Sequence, residues 1–194
     1  MQNDSSNKLN TFLEKQLERT NYWLSFAEAK NAALIALNVA MIAFLAELKA
    51  ECSVFKTLLI ALFVISCVIC MLSFSPNTTN RVHTVKAGKI HDNLVFWNDI
   101  ATIQDEQQYI DLVKERYFKG MTFYIEHDKL SYDLASEIII NSRITKKKYQ
   151  LFKRALYVDI CSFVLCIVFL IVGGIFHLSL HFPGCDPQIL LSIS

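Results

Sequence analysis

Three groups of residues in this chain have types and spacings that could do chemistry. The first is basic: Arg143, Lys146, Lys147, Lys148, Lys153 and Arg154 crowd into about three helical turns. Such a cluster holds anions, with Arg a bidentate fork and Lys a point charge. The plainer use is anchoring to anionic headgroups. The sharper one is a site for a phosphate-bearing ligand built on Arg143, Lys146, Lys147 and Lys148. The second group is Asn31 and Asn38, seven apart and so on one helix face, within an uncharged run. An amide in an apolar run faces protein or water. It either makes an interhelical hydrogen bond or forms a polar stripe that lines a path when subunits assemble. The third group is Glu28 and Lys30 at the head of that run, and Asp159 just before another. They read as ordinary interfacial charges, or as a subunit contact or signal relay in which Asp159 is their partner.

Catalysis finds little support. His91-Asp92 is a metal-phosphohydrolase dipeptide without the further His and Asp that such a site needs. No serine lies in G-x-S-x-G, and no G-x-x-x-x-G-K-[ST] is present. Cys67 and Cys70 form C-x-x-C, but inside an apolar run without a second pair at zinc spacing, where cysteine acts as a small hydrophobe. The expectation is no catalytic residue, no metal and no cofactor.

The elements that must carry these residues are helical and segregated by polarity. Only five Gly and three Pro occur in 194 residues, and 53% of the chain is apolar against 19% charged. A mean hydropathy of +0.33 fits apolar stretches alternating with charged ones. The near-neutral formal charge of +1 speaks against binding a nucleic-acid polymer. Residues 4–27 carry an apolar helical stripe of Leu9, Phe12, Leu13, Leu17, Trp23 and Leu24, and no breaker separates them from the uncharged run that starts at Asn31. Spans are expected at about 31–48 and 57–75, with a third at 160–180, each near the length a bilayer requires. Helices are also expected over 82–103, over 105–119 with Gly120 as its stop, and from about 128 unbroken into the third span.

The fold class is therefore an all-α membrane protein: a two-helix transmembrane hairpin plus a third transmembrane helix, with a cytoplasmic helical bundle. Its parts are a cytoplasmic amphipathic helix (1–30), the hairpin (31–75), a cytoplasmic sensor domain (76–159), the third span (160–180) and a short outer tail (181–194). All but two of the 19 Lys and Arg precede the first span or lie between the second and third, the exceptions being Lys49 and Lys56. The positive-inside bias places the N-terminus and 76–159 in the cytoplasm and the C-terminus outside.

The run from Trp23 through Phe26, Glu28, Lys30 and Asn31 to Asn38 resembles the opening of the Pycsar transmembrane effectors. There, an acidic residue, a spacer, a Lys and an apolar helix with an internal Asn enter the membrane. Those proteins more often have Asp where this chain has Glu28, and Gly where it has Val39. The aromatic and Ile-Ala pairing in Phe96 to Thr102, the Tyr132–Ala135 run and the Ile144–Tyr149 run are similar too. The resemblance implies a bacterial inner-membrane effector of antiphage defence. It would sense a cyclic pyrimidine mononucleotide, cCMP or cUMP, made by a partner cyclase that need not touch it. It would then impair the membrane and end the infected cell. Three short helices per subunit cannot enclose an aqueous path alone, so assembly as a homo-oligomer is expected on that separate ground. The alternatives are a membrane effector that answers a cyclic oligonucleotide and a membrane scaffold that binds a protein partner without catalysis.

The topology makes two native cysteines into reporters. An impermeant maleimide applied to intact spheroplasts is predicted to label Cys52 and Cys185 and no other cysteine. Both staying unlabelled after reduction would contradict the three-span arrangement.

Overall fold

The structure, a computed structural model, describes residues 2–48, 53–75, 93–120 and 129–181, with side chains over 5–48, 54–75, 93–120 and 129–172. Cys52, Cys185, the 77–80 turn, the 82–92 part of the expected helix, His91-Asp92 and the tail from residue 182 lie outside the described residues. What is described is all helical: α1 (Gln2–Glu47), α2 (Ser53–Leu72), α3 (Trp97–Ile100), α4 (Glu106–Tyr117) and α5 (Lys129–His181). Three of these, α1, α2 and α5, are long and apolar enough to cross a membrane.

α1 and α5 determine the architecture. Neither has Gly or Pro before Gly173, so nothing in either sequence interrupts the ladder. They run parallel and keep one register. Ser131 donates to Asn10, Asn141 to Asn21, Lys148 meets Glu28, and Asn38 donates to Asp159, always at an offset of 120 or 121 residues. That register holds from Asn10 to Asn38, about 42 Å of helix. The seam recurs every three or four residues, the spacing at which one helix follows another. In α1 it buries Leu9, Leu13, Gln16 and Thr20, then Ala27, Asn31, Leu34 and Asn38. In α5 it buries Ser131, Ala135, Ile138, Ser142 and Thr145, then Ala155, Asp159 and Ser162. Many of these are small, which lets the backbones approach closely. α2 runs antiparallel to both and closes a three-helix bundle over their apolar halves.

Each end of the molecule has its own core. At the polar end, Leu9 and Leu13 of α1 pack with Leu94, Ile100 and Ile103 around α3, with Tyr109, Ile110 and Val113 of α4, and with Ala135, Ile138 and Ile139 of α5. The Tyr109 hydroxyl donates to Leu94 O at 3.1 Å and Gln16 Nε2 to Val95 O at 2.9 Å, so two carbonyls of the segment before α3 are satisfied from outside it. At the apolar end two clusters stack along the bundle: Leu34, Cys70 and Ala155, then Leu45, Leu59, Phe63 and Cys166.

The expected helix over 82–103 is not continuous across its described part. Asn93 Oδ1 accepts from Val95 N, α3 is four residues long, and Thr102 Oγ1 donates back to Asp99 O at 2.6 Å. Short polar side chains that bond the local backbone offer it turns in place of a helix. Asp105 then caps α4 by accepting from Gln108 N at 2.8 Å. α4 ends at Tyr117, and Gly120 takes a positive φ of 82°, the left-handed conformation that glycine adopts without penalty.

Candidate functional site

Where the polar core gives way to the apolar bundle, α2 ends against α5. The last carbonyls of a helix have no partner within it. Lys148, largely buried, supplies one: its ammonium donates to Ser73 O at 2.8 Å and pairs with Glu28 Oε1 at 3.0 Å. A cation at a helix C-terminus also suits the helix dipole. Glu28 is half exposed, so the ion pair itself contributes modestly, and the bond to the carbonyl is the stronger constraint. The opposite end of the hairpin repeats the device, since Lys56 donates to Ala46 O and Leu48 O at 2.9 and 2.8 Å.

Around Lys148 lies a half-enclosed cavity of about 210 Å³. Glu28, Ser73, Ser75, Lys147 and Lys148 supply its polar wall, and Leu24, Phe74 and Leu151 part of its apolar one. The Ser73 hydroxyl is buried and has no protein partner. Lys147 is exposed at its edge. On the other side of α5, Lys30 sits 4.5 Å from the ring of Phe26 and within 6 Å of Tyr149 and Phe152. Tyr149 stacks on Trp97 at 4.9 Å, which ties α3 to the same level.

The basic cluster thus divides. Arg143 turns away from the cavity and donates to Ile103 O and Gln104 O at 2.6 and 3.1 Å, closing the turn after α3. Burial draws its pKa below the usual value while Glu106 opposes the shift. Lys146 is half-buried outside the cavity, and Lys147 and Lys148 line it.

Deeper along the seam lies a polar tier. Asn38 Nδ2 donates to Ser66 Oγ at 3.0 Å and to Asp159 Oδ2 at 3.3 Å, and Ser66 Oγ donates to Ala155 O at 3.3 Å. All three helices meet there, between the two apolar clusters. Asn31, two turns nearer the cavity, donates to Ala27 O at 2.8 Å. Asn31 and Asn38 therefore face the chain's own interior, and Asp159 partners Asn38, with Glu28 paired to Lys148 and Lys30 held in its aromatic cage. Ser66 was missed by reading the sequence. Its signal was available: it is the one hydroxyl near the middle of the second uncharged run, as Asn38 is the one amide near the middle of the first. Among the described residues, no three His, Cys, Asp or Glu side chains gather as a metal site.

A family model, the Pycsar effector protein domain, matches residues 12–174. The chain belongs to the Pycsar effector family. The matched stretch runs from within α1 to Gly174 within α5 and takes in both the cavity and the polar tier. Neither curated proteins nor solved structures gave a match. Pycsar effectors act in antiphage defence, and theirs is an effector rather than a catalytic family. The family implies a cyclic-nucleotide signal from a cyclase partner, and the three apolar helices suit a membrane protein.

Lys148 as the clamp on the end of α2 has a measurable consequence. In Lys148→Met the Ser73 carbonyl loses its donor, so the turn amides of Ser73, Phe74 and Ser75 should exchange hydrogen faster, read by mass spectrometry on that peptide. Exchange unchanged from wild type would mean that other contacts hold the end of the hairpin.

Proposed function

We propose that this Pycsar effector senses a cyclic pyrimidine mononucleotide, cCMP or cUMP, made by a partner cyclase, and impairs the bacterial inner membrane so that infection aborts. In this reading the N-terminus and the polar bundle face the cytoplasm, the C-terminus lies outside, and several subunits assemble. The observation that carries it is the cavity at the junction of the two cores. It is walled by α1, α5 and the end of α2, and it offers Lys147 and Lys148 to an anion.

A cyclic mononucleotide has one phosphodiester charge and one flat base, and the cavity has two ammonium groups and an apolar wall. Its volume of about 210 Å³ lies below the range of roughly 300–1,000 Å³ usual for drug-sized ligands. That supports a mononucleotide over a larger cyclic oligonucleotide. A phosphate entering there competes with Glu28 for Lys148. Losing that pair, or tightening it, acts at once on α1, α5 and α2, the three helices that enter the membrane. The ligand shifts the chain between arrangements only by its difference in affinity for them. No enzymatic step is needed.

The test is calorimetry on the detergent-solubilised chain with cCMP, cUMP and a cyclic dinucleotide. A pyrimidine mononucleotide should bind. Lys147→Gln, which leaves the Lys148 clamp intact, should weaken it about tenfold to a hundredfold, the loss of one charge-assisted hydrogen bond of about 1.5–3 kcal/mol. Binding of the dinucleotide alone would replace the ligand class, and binding of none of the three would overturn the reading.

A further inference from the structure

The polar tier contains an electrostatic problem that the cavity does not solve. Asp159 is 1% exposed and Asn38 is fully buried, with apolar clusters on both sides along the bundle. Asp159 Oδ2 accepts from Asn38, but Asp159 Oδ1 and Asn38 Oδ1 have no hydrogen-bond partner. Among the described residues no Lys or Arg pairs with this carboxyl. The charged groups on the packed elements stand away from it. On α1 they are Glu28 and Lys30, about two turns or more below Asn38, and Glu47 beyond it. On α2, Lys56 is committed to the Ala46 and Leu48 carbonyls. On α5, Lys153 and Arg154 are exposed on another face. The titratable groups that do border the tier are the thiols of Cys67 and Cys70.

A carboxylate so placed, with no cation beside it and only the Asn38 amide and the Ser66 hydroxyl to bond it, costs several kcal/mol, more than those neutral hydrogen bonds return. The group must be neutralised. The protein offers oxygen for that purpose: two partnerless oxygens on Asp159 and Asn38, the Ser66 hydroxyl beside them, and a third partnerless oxygen, Asn31 Oδ1, on the same face of α1 toward the cavity. Oxygen donors around a single negative charge suit a small monovalent cation stripped of part of its water. The proton is the limiting case.

We infer that Asp159, Asn38 and Ser66 form an intramembrane site for a monovalent cation, a proton or an alkali ion, with Asn31 as the next oxygen on the way to it. The site rests on the reading of α1, α2 and α5 as membrane spans, but not on the identity of the nucleotide. It gives the membrane impairment a chemical character. Where the proposed assembly and membrane impairment also hold, passage would be selected for positive charge at Asp159, with the apolar clusters on either side flanking the site. The ion moves between oxygens, and no covalent bond is made or broken.

The test uses the full chain without nucleotide, so its outcome is separate from that of the ligand experiment. Thermal unfolding is followed in sodium, potassium and N-methylglucamine chlorides at one pH and ionic strength. In parallel, the infrared spectrum is searched for the C=O stretch of a protonated carboxyl. Two results support the site. An alkali ion raises the melting temperature above the N-methylglucamine value in wild type but not in Asp159→Asn, or a protonated-carboxyl band is present in wild type and absent from Asp159→Asn. If Asp159→Asn does not fold, Asn38→Ser, which removes one of the oxygens, takes its place and should weaken the alkali effect or shift the band. An ionised Asp159 with the same melting temperature in all three salts would overturn the inference.

Discussion

The constant register of α1 against α5 is the constraint on which everything else in this effector depends. Two helices 120 residues apart in sequence are held parallel by a row of paired polar groups and small side chains. In water such a seam would draw on apolar burial. Between spans in lipid that driving force is absent, and close packing and hydrogen bonds must serve. The chain uses each where it works. Leu9, Leu13, Ile138 and Ile139 fill the seam at the polar end, and Asn31, Asn38, Ala155 and Asp159 fill it among the spans. Neither helix has Gly or Pro along this seam, the first being Gly173 well beyond it in α5, so no residue there interrupts the helical ladder.

The register also sets where charge falls. Because α5 trails α1 by about 120 residues, the uncharged run that begins at Ile160 starts level with residue 40, well inside the first uncharged run. The hairpin's half nearer the cavity is therefore flanked on α5 by Lys153, Arg154 and Asp159. Lys153 and Arg154 can direct their ammonium and guanidinium heads along the helix toward the interface. Asp159 has no such reach, and its short side chain is enclosed by Asn38 and Ser66. With α1, α2 and α5 read as spans, a carboxyl at that level is the most conspicuous departure from what a bilayer tolerates, and ionisable groups inside membranes are ordinarily functional.

The long elements were legible because their signals are local. Unbroken apolar stripes and the absence of Gly and Pro foretold α1 and α5 as single helices, and the uncharged runs foretold three helices able to span. Gly120 marked the stop after α4. What sequence reading missed was the partner across the seam. The row Ser131, Ala135, Ser142, Thr145, Ala155 and Asp159 has the spacing of a close-packed stripe, but small and polar residues carry little hydrophobic signal. The edge of the apolar run points to Glu28 or Lys30 as the partner of Asp159, and only the register sets it against Asn38. The apolar content of the stretch after residue 93 suggests a helix. The side chains of Asn93 and Thr102, bonded to their own backbone, break it into turns. Arg143 belongs by composition to the basic cluster, yet the carbonyls of Ile103 and Gln104, in the turn between α3 and α4, draw it inward.

A nucleotide entering the Lys148 cavity as proposed would act on α5 eleven residues before Asp159, on the same unbroken stretch of helix. Infrared difference spectroscopy on the reconstituted effector, recorded as cCMP or cUMP is added, reads that carboxyl directly. A change in the carboxyl bands should accompany nucleotide binding and be missing from Asp159→Asn. A nucleotide that binds while the carboxyl bands of wild type and Asp159→Asn stay equally unchanged would contradict that coupling.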